Sequence, residues 1–252
     1  EDYQIHTKNP PGVEELRLFM QFPEYLRMAN TPEDQPILGG NIQAPQYTSV
    51  RFVAVCNEDL AEASIKLGVK GKESQASLTI GKDAKGLNAL VTGTIDVAEA
   101  YSEYQLDLVA KNGLPNRDPI RYTIKGLVDA RPTSSVFDPL GEENVTEICQ
   151  RPISAEIKDD NGIAEIFFEY RKDGKVSTDW TPVKMTAEHM KPVDCGPGIR
   201  TIKIDYTLDF APIQAVPGEY VRFRFRAADY KDVKGDRNVH IGKEYRFAVV
   251  PF

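Results

Sequence analysis

Residues 152–170, PISAEIKDDNGIAEIFFEY, decide the fold of this chain. Apolar and polar residues alternate on both sides of an Asp-Asp-Asn-Gly turn, which is the pattern of two strands that each bury one face. Residues 216–250, VPGEYVRFRFRAADYKDVKGDRNVHIGKEYRFAVV, repeat this design around a second Asp-rich turn. Two such strand pairs within about 100 residues predict a β-sandwich.

The composition is that of a folded, acidic protein. The 252 residues are 41% hydrophobic and 27% charged, which is typical of a globular chain. A net charge of −7 argues against a nucleic-acid partner, because such proteins usually carry a basic surface. Apolar runs stay well short of the roughly 20 residues that span a bilayer, so we expect any membrane attachment to be indirect, through further sequence or a partner. The opening EDYQIHTKNPPG, without an initiator Met or a leader, indicates either a processed mature chain or a piece of a larger protein, and we favour the piece.

A short polar segment, DARPTS at residues 129–134, divides the sequence. Arg131 precedes a proline, a position that is biased away from helix. We predict one domain over residues 1–130, with an extended N-terminal segment, and a second over residues 131–252. The predicted fold is all-β, with two tandem immunoglobulin-like antiparallel β-sandwiches.

Each half contains seven predicted strands, the number typical of such a sandwich. Those of the first half are residues 15–20, 47–56, 63–69, 76–80, 90–97, 103–110 and 120–125. Those of the second half are residues 145–148, 153–157, 163–171, 181–185, 199–208, 220–228 and 244–250. Weak helical signals predict single turns at residues 60–63 and 186–190.

The alternation also assigns faces to the strands. It turns Phe168 inward and Glu165, Phe167 and Glu169 outward, and it exposes a stripe of three arginines, Arg222, Arg224 and Arg226. Because the third and sixth strands of an immunoglobulin-like sheet are neighbours, we expect the two glutamates to lie beside the arginines. Such cross-strand pairs contribute about 0.2–1 kcal/mol each. An anionic polymer on this stripe is the alternative.

The second half resembles the bacterial immunoglobulin-like domains of large cell-envelope proteins. The residues that carry this resemblance are Asp159, Asp160, Gly162, Tyr170, Asp173, Gly174, Ala228 and Asp229. The first half resembles the module that precedes such a domain in membrane-anchored proteins of planctomycete-type bacteria. The matching residues there are Pro23, Tyr25, Gly39, Gly40, Val50, Asn57 and Leu60. The resemblance implies an extracytoplasmic chain, in the periplasm or cell envelope, whose partners are other protein subunits.

The three cysteines match no zinc-binding spacing. Cys56 shares the apolar face of its strand and is expected to be a buried thiol. Cys149 and Cys195 both lie near loops, and they could pair in an oxidising compartment if their Cα atoms come within reach.

Two Asp-rich turns are the candidate metal site. Asp159 and Asp160 follow the second strand of the second half, while Asp229 and Asp232, with Asp236 further on, follow the sixth. In a seven-strand sandwich these turns lie at the same end, where converging carboxylates could bind calcium. The alternative is that these residues serve the turns themselves. The latter is favoured, because Lys231, Lys234 and Arg237 are interleaved with them.

Catalytic signatures are lacking in this sequence. The histidines His6, His189 and His240 are far apart, and the sequence has no nucleophile elbow, zinc-protease motif or phosphate loop. We therefore predict no enzyme activity, no cofactor and no catalytic residues. The predicted function is a structural or protein-interaction module. A carbohydrate-binding or enzyme-accessory module is the alternative, with Trp180, Tyr101, Tyr104 and Tyr230 as candidate aromatic contacts.

Overall fold

The computed structural model describes residues 8–69, 72–97, 101–173, 179–233 and 235–252. His6, Gly174, Lys234 and the side chain of Asp236 lie outside this description. The chain forms two compact units, one that ends at Val128 and one that runs from Asp129 to Phe252. Strands make up 59% of the residues and helices 3%, which confirms the all-β prediction. Within the described ranges, no helix is both long enough and apolar enough to cross a bilayer.

The first unit is a sandwich of two five-stranded sheets. Its strands are β1 (Val13–Gln21), β2 (Ile37–Leu38), β3 (Ile42–Pro45), β4 (Ser49–Cys56), β5 (Leu60–Val69), β6 (Lys72–Ser77), β7 (Thr79–Gly81), β8 (Leu90–Asp96), β9 (Tyr101–Ala110) and β10 (Arg121–Leu127). One sheet has the order β2-β1-β4-β8-β7, and the other has the order β3-β10-β9-β5-β6. Leu18, Phe52 and Tyr104 lie in the apolar layer between them.

The second unit repeats this architecture. Its strands are β11 (Thr133–Asp138), β12 (Glu143–Val145), β13 (Gln150–Lys158), β14 (Gly162–Asp173), β15 (Thr181–Lys184), β16 (Met190–Lys191), β17 (Gly196–Pro197), β18 (Thr201–Asp209), β19 (Tyr220–Val233), β20 (Asp236–Ile241) and β21 (Tyr245–Val249). One sheet has the order β11-β13-β18-β16. The other has the order β12-β21-β19-β14-β15, with β17 on β14 and β20 on β19. This strand order, shared by both units, is that of immunoglobulin-like sandwiches.

The chain crosses the second unit from one end to the other. Asp129 lies beside Asn161 and Asn238, where it begins the unit. The last strand, β21, ends beside the start of β19, where Ala248 is paired with Tyr220. Tyr220 and Asp229 are nine residues apart on β19, which corresponds to roughly 30 Å at the rise of a strand. We call these two ends the entry pole and the exit pole.

The first unit has the same arrangement. Its first strand begins with Val13 paired to Cys56, at one end of β4. Its last strand ends at Leu127, whose carbonyl accepts a hydrogen bond from the Gln46 N–H at 2.9 Å, close to Ser49 at the other end of β4. The eight residues of β4 correspond to roughly 25 Å.

Several predicted boundaries were wrong. The predicted helical turn at residues 60–63 is the beginning of β5, and residues 186–190 form a turn followed by β16 rather than a helical turn. The predicted strand at 76–80 is divided between β6 and β7. The sixth strand of the second half does not end at residue 228, because β19 continues to Val233 in a hairpin with β20.

Gly162 is a position where the backbone requires glycine. Its φ of 123° lies in the left-handed region, and a Cβ there would lie 2.6 Å from the Gly198 N atom. Gly162 thereby lets the Asp-rich turn after β13 pack against β17, and it fixes the place of Asp159 at the entry pole.

Candidate functional site

The entry pole of the second unit holds a buried polar cluster, formed by Asp129, Asp159, Asn161, Asp229, Lys231 and Asn238. The predicted convergence of the two Asp-rich turns is correct for Asp159 and Asp229, whose charges interact. Asp160 and Asp232, by contrast, are exposed. Asp129 joins the cluster from the segment between the two halves, where the sequence analysis placed no site residue.

Hydrogen bonds connect the cluster to the backbone. Asp159 Oδ1 accepts from the N–H groups of Asn161, at 2.9 Å, and Gly162, at 2.7 Å. Asp229 Oδ1 accepts from the Lys231 N–H at 2.8 Å. These are the bonds that Asp makes when it stabilises a turn or a strand end, as the favoured alternative to calcium binding predicted.

Asn238 ties the beginning of the unit to its body. Its Nδ2 atom donates to Asp229 Oδ2 at 2.9 Å and lies 3.3 Å and 3.4 Å from the carbonyl oxygens of Asp129 and Ala130. The Asn161 side chain donates to the Asp129 carboxylate. The cluster therefore holds the segment through which the chain enters the second unit.

The positive charge of the cluster is supplied by a lysine. Lys231 is 6% exposed, and its Nζ atom donates to Asn238 Oδ1 at 3.5 Å. An ammonium group already inside the cluster opposes a divalent cation. Among the described residues, His, Cys, Asp and Glu side chains form no group with the geometry of a metal site.

Burial controls the acidity of the two central carboxyls. Burial raises the pKa of Asp229 to about 6, with the hydrogen bonds from Asn238 and Lys231 acting in the opposite direction. Burial also raises the pKa of Asp159, and the neighbouring charges of Asp160 and Asp129 add to this. Both groups consequently destabilise the folded unit when they are ionised.

We expect acidification from pH 7 to pH 5 to stabilise wild-type protein by about 1 kcal/mol relative to an Asp229→Asn variant. Between pH 6 and pH 3.8, Asp229 is protonated in the folded state but ionised in the unfolded state. The free energy of unfolding therefore increases as the pH falls through that window. His240, whose pKa burial lowers, has the opposite effect in the same range, but it is common to both proteins. Urea unfolding at the two pH values measures the difference. If the two proteins differed in free energy of unfolding by the same amount at both pH values, the raised pKa of Asp229 would be contradicted.

The arginine stripe of β19 is a balanced network rather than a free cationic surface. Glu169, only 6% exposed, accepts from Arg224 Nε at 2.8 Å and from Arg226 Nε at 2.6 Å. Arg222 binds Asp173, and its Nη1 atom lies 3.6 Å from Glu244. The prediction of acidic neighbours for the stripe is confirmed for Glu169. Glu165 instead lies 3.5 Å from Arg237.

Aromatic rings cover the same network. The Arg224 guanidinium lies 4.0 Å from the Trp180 ring centroid, and that of Arg226 lies 4.3 Å from the Phe167 ring centroid. Phe167, predicted to be exposed, is therefore half-buried beneath an arginine. These contacts leave the stripe poorly suited to bind an anionic polymer.

The aromatic residues considered for carbohydrate binding do not form one exposed platform. Tyr104 is 1% exposed, and its hydroxyl donates to the Gly40 carbonyl at 2.7 Å. Tyr101 is packed against the core of the first unit. Trp180 is stacked against Arg171 and Arg224 in the second unit.

The cysteines do not pair. All three are free, and burial raises the pKa of Cys56 and of Cys195 to about 11. Cys149 precedes β13 near the exit pole, whereas Cys195 precedes Gly196, which pairs with Ile163 near the entry pole. The length of β13 between these poles far exceeds the roughly 7 Å between Cα atoms that a disulfide allows.

The two described histidines are apart and serve local structure. His189 Nδ1 forms a hydrogen bond with Thr186 Oγ1 at 3.0 Å, and the His189 ring packs edge-on against Tyr206. His240 lies 3.0 Å from Ser134 Oγ and links β20 to β11. His189 also has Glu188 Oε1 at 3.8 Å from its Nε2 atom, but Thr186, Glu188 and His189 belong to one short turn, in which Thr186 Oγ1 donates to Glu188 at 3.2 Å.

The first unit carries an open groove of about 750 Å³ beside β5, β6 and β9, lined by both polar and apolar side chains. Lys66 Nζ and Asp107 Oδ2 lie 2.6 Å apart on its floor, and Gln75 Nε2 donates to Ser64 Oγ at 2.9 Å. Its hydroxyl, amide and charged groups can form hydrogen bonds to a polar ligand. The sequence analysis missed this groove because its lining comes from four strands and from the segment after β9, which only the tertiary fold brings together.

No family model matches the chain, and no curated protein matches it. Among solved structures, it is similar to the fibronectin(III)-like modules of CbhA from Clostridium thermocellum, with 14% identity, 84% of this chain and 90% of that chain covered, and a TM-score of 0.28. It is also similar to a 1.5-MDa bacterial ice-binding adhesin, with 12% identity, 81% and 58% covered, and a TM-score of 0.41. Trypsin-activated α-2-macroglobulin from Escherichia coli shares 8% identity, with 97% and 16% covered and a TM-score of 0.28. The strand order of the two units, rather than these distant similarities, assigns the immunoglobulin-like fold.

Proposed function

We propose that this chain is a non-catalytic structural module of an extracytoplasmic, envelope-associated protein assembly. The observation that carries the proposal is the path of the chain through each unit. Because the chain enters at one pole and leaves at the other, each unit separates the segments on either side of it by roughly 25–30 Å. Such a unit suits a spacer or connector between other parts of a protein.

The chemistry of the described side chains supports this proposal. The buried carboxylates at the entry pole hold the beginning of the second unit, and the arginine stripe is paired with glutamates and covered by aromatic rings. Three of the residues that carry the resemblance to bacterial envelope domains, Asp159, Gly162 and Asp229, lie at this pole, whereas Asp173 pairs with Tyr220 at the exit pole. Partners would be other protein subunits, with no cofactor.

Labelling of intact cells tests the location. The natural source organism would be treated with an amine reagent that cannot cross membranes, and the chain would then be isolated and its modified lysines identified. Lys82 and Lys203 are suitable reporters, because both lie on exposed parts of the described surface. We expect modification before lysis. Modification only after lysis, with a known envelope protein labelled in the same cells, would contradict the proposal.

Carbohydrate binding is a second candidate, favoured by the groove of the first unit and the polar side chains in its lining. A glycan array would be probed with wild-type protein and with a Lys66→Ala/Gln105→Ala variant, since both residues line the groove. A signal that the variant loses would support glycan recognition in the groove. If the array gave no signal, or if the variant kept the signal, glycan recognition in the groove would be ruled out.

A further inference from the structure

Three guanidinium groups meet at one carboxylate on the outer face of the sheet that contains β14 and β19. The Nη2 atom of Arg171 and the Nη1 atoms of Arg222 and Arg224 lie 3.7, 3.6 and 3.8 Å from the carboxylate oxygens of Glu244. The strand register explains this convergence, because Arg171 and Arg222 are cross-strand partners and Glu244 directly precedes β21 on the other side of β19. We call Arg171, Arg222 and Arg224 the arginine triad.

Glu244 satisfies the hydrogen-bonding capacity of the triad only in part. A charge-assisted N–H···O bond is about 2.7–2.9 Å long, and all three distances to Glu244 exceed this range. By comparison, Arg224 Nε lies 2.8 Å from Glu169 Oε2. The Nε atom of Arg171 is buried and has no hydrogen-bond partner among the described residues. The triad therefore offers donors to an anion that fits between the three groups better than Glu244 does.

The guanidinium groups are held in place by contacts other than those to Glu244. The Trp180 ring centroid lies 4.8 Å from the Arg171 guanidinium and 4.0 Å from that of Arg224. Arg222 binds Asp173 through its Nε atom. Because the planar fork of arginine matches the oxygens of sulfate and phosphate, three arginines fixed in this way form a prearranged oxyanion site.

Glu244 is able to leave the triad without a change in the sandwich. It lies in the connection between β20, which ends at Ile241, and β21, which begins at Tyr245. Its side chain is 37% exposed, so rotation of its side-chain torsions moves the carboxylate into solvent. An incoming anion therefore replaces one ion pair by another and leaves no buried charge unpaired.

Arg222 also lines an open groove of about 730 Å³ at the exit pole. Its lining includes Val216, Pro217, Tyr220 and the carboxylate-bearing residues Asp173 and Glu219. The two carboxylates repel a second anionic group, whereas the apolar and aromatic side chains offer contacts to an uncharged one. The groove therefore suits a ligand that carries a single anionic group, and this agrees with the poor fit of the stripe to an anionic polymer.

We propose that the arginine triad binds one sulfate or phosphate ester group in the place of Glu244, with the uncharged remainder of the ligand in the groove at the exit pole. This site goes beyond the spacer role proposed above. It does not depend on where the chain is located, so the two proposals are tested separately.

Trp180 provides a direct readout, because it is the single tryptophan and stacks on two members of the triad. The full chain would be titrated with glucose 6-sulfate, glucose 6-phosphate and inorganic sulfate, with glucose and sodium chloride at equal ionic strength as controls. We expect a saturable fluorescence change with the oxyanions, severalfold tighter for at least one ester than for inorganic sulfate, and none with the controls. An absence of saturable change, an equal change with chloride, or esters that bind no tighter than inorganic sulfate would overturn the proposal.

Three variants locate the site. Glu244→Gln removes the competing carboxylate and should tighten ester binding severalfold, a gain that misfolding cannot produce. Arg222→Gln should weaken it roughly tenfold, as expected for the loss of a charge-assisted hydrogen bond. Arg237→Gln is the matched control, because Arg237 lies on β20 of the same sheet and faces Glu165, and its affinity should equal that of wild type. Binding to Glu244→Gln no tighter than to wild type, or equal losses in the two arginine variants, would contradict the site.

Discussion

Replacing Phe168 by alanine is expected to destabilise the second unit by about 3–5 kcal/mol, which approaches the whole stability of a small domain. Phe168 is completely buried, and its ring centroid lies 4.7 Å from that of Tyr206, 5.4 Å from that of Phe223 and 5.5 Å from that of Phe225. Truncation leaves a cavity between the two sheets that these rings cannot close. Denaturant unfolding followed by fluorescence measures the effect, because Trp180 is the single tryptophan and lies in this unit.

The control for this experiment is Phe137→Ala. Phe137 lies on β11 and is 53% exposed, so its truncation should cost less than about 1 kcal/mol. Hydrogen exchange of β4 should be unchanged in the Phe168 variant, because β4 belongs to the core of the other unit. Equal losses in the two variants would contradict a packed core around Phe168. Loss of protection in β4 would contradict separate cores.

Glu169→Ala has the second largest expected effect, a loss of about 3 kcal/mol. The substitution removes the carboxylate that pairs with both Arg224 and Arg226, and it leaves two guanidinium groups partly buried. Burial alone would raise the pKa of Glu169, but the two arginines outweigh it and keep that pKa below its ordinary value. The ion pairs therefore contribute stability at neutral pH, and this contribution is lost as the pH falls through the lowered pKa.

Urea unfolding of wild type, Glu169→Ala and Glu165→Ala at pH 7 measures the contribution. Glu165 lies on the same face of β14, but its partner Arg237 is 3.5 Å away and nearly half exposed, so its removal should cost less than about 1 kcal/mol. If Glu169→Ala lost no more stability than Glu165→Ala, the ion pairs of Glu169 with the two arginines would be as solvated as that of Glu165. The advantage of wild type over Glu169→Ala should also shrink in acid.

The central strands could be predicted from the sequence because their alternation is regular. Strands β4, β14 and β18 carry an apolar residue at every second position, and the opposite sheet of the sandwich covers that face. The edge strands β2 and β3 are different. They are short, lie among proline and glycine residues, and are held on one side only by the neighbouring strand, so their pattern carries little information.

The entry-pole cluster was only partly predictable. The strand count placed Asp159 and Asp229 at the same end, but Asp129 is distant in sequence and reaches the cluster only through tertiary packing. Asp229 was expected in a turn. It lies inside β19, because a register shift between Ala228 and Asp232 allows the strand to continue along β20. The burial of Glu169 could not be predicted either, since alternation places it outward, whereas Arg224 and Arg226 bind it and Trp180 stacks on Arg224 in the folded structure.

The path of the chain through each unit is the basis of the proposed spacer role, and one distance tests it most directly. Nitroxide labels at Ala130→Cys and Phe252→Cys, in a chain whose three native cysteines are replaced, mark the entry pole and the exit pole of the second unit. Double electron–electron resonance should give a mean separation of about 30 Å or more, set by the strand length of β19. A separation near 15 Å would place both ends at one pole, and it would contradict the spacer role.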